Sequence, residues 1–383
     1  MLELLRQAGF SPRTCVWELT LACNLRCKHC GSNAGARRDD ELNLEECLDV
    51  ADQLAALGCQ QVTLAGGEPT LHPAWHEIGR RLTDHRIRVN IISNGWHWTE
   101  RQIEQARHAR LMGVAFSLDG LEQEHDSVRR PGSYGRVVAA IESSVAAGLP
   151  TAVNTTINSL NRHSVPQVHS FLVEHGVFGW QVQIGTPTGN LAHHPELVLP
   201  PEDLLWLVPQ LAELRRLADC PMKVHPADDI GYYGRYEQDL RDRASVVPFW
   251  IGCRAGCQVV GIESNGNVKG CLSLPSYDDG RFVEGNLRQS RLEQLWRRPG
   301  GFAYNREFTE EQLGGFCAVC RYRLFCRGGC SWTAFGHTGD RFDNPYCFYR
   351  QAVEHGRRDL LSEDPTAPET AFFDRRSDDV TAA

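Results

Sequence analysis

The sequence predicts an α/β fold, a parallel sheet with helices outside it, followed by a small cysteine-rich domain. Three observations carry that prediction. Short apolar runs alternate with amphipathic helical segments over the first two-thirds of the chain. The alternation stops near Gly252, where glycines, aromatics and cysteines become dense. The fifteen cysteines gather mostly in two places, one near the N-terminus and one in the C-terminal third.

The elements follow in order. Residues 15–19 read as the first strand. The next helix has Asn43 as N-cap and Glu46 three positions on, the pattern in which each side chain bonds the other's backbone amide. Leu44, Cys47, Leu48, Ala51, Leu54 and Leu57 recur along it at helical spacing, and Gly58 closes it. Further strands are expected at residues 61–65, 89–92, 114–118, 152–157 and 181–184. Helices are expected at residues 74–83, 100–109 and 136–147, and after each of the last two strands. Six such units in series argue for a parallel sheet, either open or a partial barrel.

In such folds the chemistry sits where the strands end. Residues 23–30, with three cysteines, follow the first strand, and Gly66-Gly67-Glu68-Pro69 the second. Ser93-Asn94-Gly95 follows the third and Asp119-Gly120 the fourth. That common edge makes them one site, although Asn94-Gly95 also reads as simple turn chemistry.

The 383 residues are 42% hydrophobic and carry a net charge of −8. With a pI near 6.0 there is no broad basic field for nucleic acid or an acidic membrane. The mean hydropathy of −0.37 fits a soluble protein. No apolar run approaches the roughly 18–20 residues that span a bilayer. Residues 1–13 contain no apolar signal core, so a cytoplasmic location is expected. In that compartment clustered cysteines are metal ligands more often than disulfides. Cys15, Cys47, Cys59 and Cys220 fall outside both groups and read as small buried hydrophobes.

Cys23, Cys27 and Cys30 place three thiolates in one loop. Thiolates are the usual ligands of iron–sulfur clusters. Three of them on a four-iron cluster leave one iron open to a small molecule, by the logic of catalytic zinc sites. A structural zinc would need a fourth ligand, and His29, wedged between two of the three, serves that role poorly.

The Cys-x3-Cys-x2-Cys loop, followed after the next strand by Gly-Gly-Glu-Pro, resembles the radical S-adenosylmethionine (SAM) superfamily over residues 14–217. The resemblance implies a partial (β/α)6 TIM-like barrel. It also implies a 4Fe–4S cluster on Cys23, Cys27 and Cys30, with SAM chelating the open iron. Gly66, Gly67, Glu68 and Pro69 would meet the methionine end of SAM, Glu68 as acceptor for the ammonium. Ser117, Asp119 and Asn154 are further candidates for SAM or substrate. Arg130 is the candidate for the SAM carboxylate. The implied reaction is reductive cleavage of SAM to a 5′-deoxyadenosyl radical, which abstracts a substrate hydrogen atom.

Eight more cysteines follow: Cys253, Cys257, Cys271, Cys317, Cys320, Cys326, Cys330 and Cys347. Their spacing resembles the SPASM domain, an extension that carries two auxiliary 4Fe–4S clusters. A zinc ribbon would instead pair two Cys-x2-Cys knuckles and leave four cysteines unused. The resemblance implies that Cys253, Cys271 and Cys330 ligate the first auxiliary cluster, with Cys257 as its fourth ligand or else an open iron there. It gives Cys317, Cys320, Cys326 and Cys347 to the second. The expected organisation is a lead-in at 1–13, the radical SAM barrel at 14–217, a linker at 218–251, the SPASM domain at 252–355 and a flexible tail at 356–383.

SPASM enzymes act mostly on peptides, which makes modification of a ribosomally made peptide by crosslinking, epimerisation or other oxidation the first expectation. A dehydrogenase of a sugar or aminocyclitol is the alternative. A non-catalytic iron–sulfur scaffold or electron carrier is the second alternative, disfavoured by a Gly-Gly-Glu-Pro motif that a carrier has no need of. Leu272 stands where sulfatase maturases of this family have an acidic residue, which argues against that branch. Only 22 residues precede Cys23, so a leader-binding domain is not expected there, and a separate leader-binding protein is a candidate partner. An external electron donor such as flavodoxin or ferredoxin is another. No catalytic acid or base is evident. Asp228, Asp229, Tyr232, Tyr233 and Glu263 are candidates for acid–base or positioning roles, but read first as ordinary exposed surface or loop residues.

Overall fold

The computed structural model describes residues 2, 6, 9–241, 249–276 and 280–362. Parts of the expected lead-in, linker and cysteine-rich domain, and residues 363–383 of the expected tail, lie outside them. The tail's first residues form a short 3-10 turn, Arg358–Leu360, whose Leu360 is buried.

In chain order the elements are β1 (Thr14–Thr20), α1 (Leu44–Ala56), β2 (Gln61–Gly66), α2 (Trp75–Asp84), β3 (Arg88–Ser93) and α3 (Glu100–His108). Then come β4 (Gly113–Ser117), α4 (Glu122–Val128), α5 (Ser133–Ala146), β5 (Thr151–Ile157), α6 (Val165–Glu174), β6 (Gly179–Ile184) and α7 (Leu204–Arg216). These are followed by β7 (Lys223–Pro226), α8 (Glu237–Leu240), β8 (Val259–Ile262), β9 (Asn267–Lys269) and β10 (Val283–Asn286). The last are α9 (Leu292–Arg297), α10 (Ala303–Arg306), α11 (Gly315–Val319), α12 (Arg323–Cys326), α13 (Ser331–Thr338) and α14 (Phe348–Glu354). They fall into two compact units, drawn from Met1–Val198, Pro221–Lys223 and Arg254–Thr309, and from Leu199–Cys220, Val224–Cys253 and Glu310–Ala383.

The first unit is built on a sheet of partial-barrel type. Strands β1 to β6 pair in sequence, every pair parallel. Each strand presents alternate residues to opposite faces. One face carries Cys15, Trp17, Val62, Leu64, Val89, Ile91, Val114, Phe116, Val153 and Val182, none more than 1% exposed. Against it pack the apolar stripes of the helices, such as Val50, Ala51 and Leu54 of α1 and Val137, Ala140 and Ile141 of α5. Burying each such side chain is worth about 1.5–3 kcal/mol, which fixes the register of every strand. The opposite face carries Val16, Thr63, Ala65, Ile92, Ser117, Asn154, Thr156, Gln181 and Gln183 around a cavity. The N-cap of α1 is as expected: Asn43 accepts from the Glu46 amide and Glu46 from the Asn43 amide.

Two features depart from the sequence reading. Helix α4 was not anticipated between β4 and α5. The sheet also does not end at β1, because β8 pairs parallel to it, Thr14 opposite Val259, and β9 and β10 extend that edge antiparallel. Gly261 interrupts the apolar pattern of β8, and the structure requires it, since a Cβ there would lie 2.5 Å from the Leu272 amide nitrogen.

The second unit has short helices around an aromatic cluster of Tyr232, Tyr233, Trp250, Tyr322 and Phe325, with Cys326 and Cys347 buried among them. Tyr233 and Tyr322 stack at 3.9 Å, and Tyr349 meets Tyr322 edge-on at 4.9 Å.

Candidate metal centres

The first centre lies on the loop after β1. Its conformation is held from both sides. The Cys23 amide donates to the Gly35 carbonyl at 3.0 Å and the Gly35 amide to that of Leu21 at 3.0 Å. The Gly67 and Glu68 amides donate to the Thr20 and Ala22 carbonyls, each at 2.8 Å. This contact explains the paired glycines. A Cβ on Gly66 would lie 2.3 Å from the Thr20 carbonyl oxygen, and one on Gly67 2.3 Å from that of Ala22. The glycines therefore let the end of β2 lie flush against the cysteine loop, a close approach only glycine permits.

Cys23, Cys27 and Cys30 all line one cavity of about 450 Å³. Backbone amides already point at two of the sulfurs, Leu25 at Cys23 and Ala34 at Cys30, both at 3.4 Å. Burial raises the Cys23 thiol above its ordinary range and pushes that of Cys27 up to about 11, with Arg129 opposing. Among the described residues, no three His, Cys, Asp or Glu side chains converge as a single metal ion requires. The donor set fits a cluster: three soft sulfurs around a volume, beside a polar wall able to hold a small molecule.

The SAM-site candidates separate. Gly66, Gly67, Ser117 and Asn154 line the cavity, whereas Glu68, Pro69, Asp119 and Arg130 do not. Glu68 is 2% exposed, and protein donors occupy its carboxylate. Oε1 accepts from the hydroxyls of Thr70 at 2.6 Å and Ser93 at 2.9 Å, and Oε2 from the Asn94 amide at 2.7 Å. It ties the ends of β2 and β3 together. Burial raises its pKa, against those bonds.

Asp119 is fully buried and organises the loop's far side. Its Oδ2 accepts from His29 Nε2 at 3.0 Å and Arg129 Nε at 2.6 Å, and its Oδ1 from the Thr156 amide at 2.8 Å. Burial alone would raise this carboxyl, but Arg129 and His29 hold it well below the usual range. Arg129 Nη1 also reaches Cys27 Sγ at 3.8 Å and lines the cavity. Arg130, the residue favoured from sequence, lies instead on the surface with its guanidinium 4.3 Å over the Trp96 ring. The sequence could not separate neighbouring arginines; the phase of the unanticipated α4 would have done so. His29, Asn94, Thr156, Gln181, Gln183 and Ser273 also line the cavity. The period-2 register of β5 and β6 already put Asn154, Thr156, Gln181 and Gln183 on one face.

The second centre lies wholly in the second unit, where Cys317, Cys320, Cys326 and Cys347 line one cavity with Tyr232, Tyr233, Phe316 and Tyr349. The Tyr322 amide points at Cys320 Sγ at 3.4 Å and the Arg350 amide at Cys347 Sγ at 3.5 Å. Burial raises the thiols of Cys326 and Cys347 well above their ordinary range, and that of Cys317 to about 11. Of the other four candidates, Cys257 and Cys271 belong to the first unit and Cys253 and Cys330 to the second. Tyr232, Tyr233, Asp229 and Glu263 are not exposed as expected but at most 4% exposed. The two tyrosines wall the second centre, and Glu263 pairs with buried Lys269 at 2.9 Å.

Comparison with known proteins identifies the family. Residues 17–172 match the family model of the radical SAM superfamily, and residues 253–321 that of an iron–sulfur cluster-binding domain, SPASM. The AdoMet-dependent heme synthase of Methanosarcina barkeri is 30% identical over 352 residues, 89% of this chain and 97% of that protein. The mycofactocin maturase MftC of Mycobacterium ulcerans is 30% identical over 344 residues, 88% of this chain and 87% of that one. In fold, the chain is similar to Streptococcus suis SuiB bound to S-adenosylmethionine, with a TM-score of 0.71 at 15% identity over 89% of this chain and 79% of that one.

Proposed function

The chain belongs to the radical SAM superfamily, and on that premise we propose that it modifies a ribosomally made peptide by hydrogen abstraction, forming a crosslink, an epimer or another oxidised product. The observation that carries the reading is the convergence of Cys23, Cys27 and Cys30 with Gly66, Gly67 and Arg129 on one cavity. Relatives named as a mycofactocin maturase and as a sporulation killing factor maturation protein support the peptide. A small-metabolite substrate is the second reading, favoured by the heme synthase relative, which this chain matches along 97% of that protein's length.

Cys23, Cys27 and Cys30 would hold the SAM-binding cluster. Reduced cluster and SAM, when bound, supply a 5′-deoxyadenosyl radical that abstracts the hydrogen atom. The protein contributes position and charge. Arg129, fixed by Asp119, offers a cation for the SAM carboxylate. Asn154, Thr156, Gln181 and Gln183 form a neutral, hydrogen-bonding wall. Gln181 Nε2 donates to Gln183 Oε1 at 3.3 Å, and Gln183 Nε2 to Thr156 Oγ1 at 3.1 Å, so the wall is pre-oriented. Among the described residues no carboxylate lines the cavity. Cys317, Cys320, Cys326 and Cys347 would hold one auxiliary cluster, and the family pattern implies a further one, for three clusters in all. These would pass on the electron that a net oxidation releases, with a flavodoxin or ferredoxin supplying the priming electron. Among the described residues no helix is long and apolar enough to cross a membrane.

The test is anaerobic reconstitution with iron and sulfide counted, and 5′-deoxyadenosine assayed after reduction with SAM. About twelve irons, as three four-iron clusters require, together with SAM cleavage, is the expected result. A full set of clusters without SAM cleavage would return the chain to a scaffold or electron carrier.

A further inference from the structure

Asn344 lines the second centre together with Cys317, Cys320, Cys326 and Cys347, and it is only 1% exposed. It stands beside a ligand: burial raises the Cys317 thiol, and the Asn344 backbone amide opposes that rise. The side chain is fixed at one end. Its Oδ1 accepts from the Tyr346 amide at 2.9 Å. A backbone amide only donates, so the oxygen belongs at that end and the NH2 group at the other. Nδ2 is buried and has no hydrogen-bond partner in the protein. Gly329 makes room for it, because a Cβ there would lie 2.6 Å from Nδ2. Neighbouring polar groups are already taken. The Tyr232 hydroxyl donates to the Asp228 carbonyl at 2.5 Å, that of Tyr233 to the Trp250 carbonyl at 2.6 Å, and Arg323 Nε to Glu310 at 3.0 Å. A buried donor left unpaired is costly, and one beside four cysteines points to a sulfur acceptor.

We propose that Asn344 sets the potential of the second centre. With a cluster bound there, Nδ2 donates a hydrogen bond to one of its sulfurs, a cysteine thiolate or a bridging sulfide. The inference rests on the proposed function and deepens it, because it gives that centre a direction of electron flow. A donor to sulfur favours the form with more negative charge, which is the reduced one. The bond therefore raises the potential and makes the cluster a better acceptor of one electron, as a net oxidation of substrate requires. The amides of Tyr322 and Arg350 point at Cys320 and Cys347 in the same way, but any residue would supply them. The Asn344 side chain is a donor that a substitution can remove.

The experiment measures the midpoint potential of the second cluster in the reconstituted full-length protein, by redox titration followed by electron paramagnetic resonance. Cys23, Cys27 and Cys30 are replaced by alanine in every sample, which removes the first centre's signal. The signal lost on adding Cys326→Ala belongs to the second centre. Asn344→Ser and Asn344→Ala are compared with that parent, with iron counted in each. Serine keeps an oxygen for the Tyr346 amide, alanine does not, and both lack Nδ2. At a fixed potential both are expected to hold about tenfold less reduced cluster relative to oxidised, a drop of ~59 mV for one electron. Unchanged potentials in iron-replete variants overturn the inference alone. A drop confined to Asn344→Ala assigns the effect to the lost turn and also overturns it. If both variants lose iron, the parent labelled with nitrogen-15 in its asparagine side chains decides. A labelled nitrogen coupled to the second cluster's signal is expected, and its absence overturns the inference. A parent with no signal that depends on Cys326 overturns the cluster assignment and this inference with it, whereas the functional reading itself falls only if wild type cleaves no SAM.

Discussion

The two cysteine centres of this chain are built from the same ligand type and surrounded by opposite materials. Around Cys23, Cys27 and Cys30 stand Arg129, His29, Asn94, Asn154, Gln181 and Gln183, on a cavity of about 450 Å³. Around Cys317, Cys320, Cys326 and Cys347 stand Tyr232, Tyr233, Phe316 and Tyr349. Three thiolates leave a four-iron cluster one open position, and the polar wall gives a small molecule something to bind. Four thiolates leave none, and stacked rings exclude water from what they enclose. On the proposed reading, the difference separates a centre for chemistry from one suited to electron transfer, where burial and the hydrogen bonds to sulfur would set the potential.

The sharpest way to break this comparison is to remove one ligand from each centre. Cys27→Ala is expected to reduce SAM cleavage to background. Cys326→Ala is expected to lower iron by about four per chain, one cluster's worth, while SAM cleavage persists and product formation fails. The readouts are iron content, 5′-deoxyadenosine and product mass from the same reconstituted samples. If Cys326→Ala also abolishes SAM cleavage, the two centres do not have separate roles.

A second comparison sets neighbouring arginines against each other. Arg129→Gln leaves the buried Asp119 carboxylate without its cation, a loss of about 3–5 kcal/mol in stability. Thermal unfolding of the reconstituted protein should show it, along with weaker SAM binding. Arg130→Gln removes a cation from an exposed ring, worth about 0.5–1 kcal/mol. Equal effects of the two would mean that Asp119 does not depend on Arg129.

The contrast between the centres also explains what was legible. Strands β1 to β6 were readable because each buries one face, so apolar residues recur at every second position, and because Asn43 and Glu46 announce α1 locally. The cysteine loop and Gly66-Gly67 were readable for a similar reason: their spacing is short and the chemistry is in the residues themselves. Arg129, His29 and the Gln181–Gln183 pair depend on which way a side chain turns out of a strand or helix end. Arg130, favoured from the sequence, faces solvent, whereas its neighbour Arg129 lines the cavity. Strands β8 to β10 were hidden because Val259 pairs with Thr14, from the far end of the chain. In the second unit, Tyr232 and Tyr233 have φ of 74° and 62°, left-handed values that tyrosine rarely adopts. They are sustained by the stack and by bonds such as Tyr233 Oη to the Trp250 carbonyl at 2.6 Å. No local pattern encodes that; the aromatic packing overrides the backbone preference.

The smallest expected effect concerns the frame of the first centre. Asn43→Ala removes the cap that accepts from the Glu46 amide at 3.0 Å, at about 1 kcal/mol. Glu46 does more than complete that cap. Its carboxylate takes Arg288 Nε at 2.6 Å and Nη2 at 2.9 Å, and Arg288 also bonds the Asp40 and Glu41 carbonyls. The pair therefore fastens the segment after β10 to the start of α1. Chiefly through the Arg288 hydrogen bond, the Glu46 carboxyl is held below its ordinary range. A depressed carboxyl contributes stability above its unfolded value, near 4.3, and loses it as pH falls below that value. With Arg288 38% exposed, solvent screening keeps the ion pair's share at or below about 1 kcal/mol. Glu46→Ala should thus lower the melting temperature at pH 7 and low salt by more than Asn43→Ala does. Its deficit should shrink toward pH 3 and in 1 M salt, while that of Asn43→Ala changes little. A Glu46→Ala deficit that persists at pH 3 would assign the fastening to packing of the Arg288 stem rather than to charge.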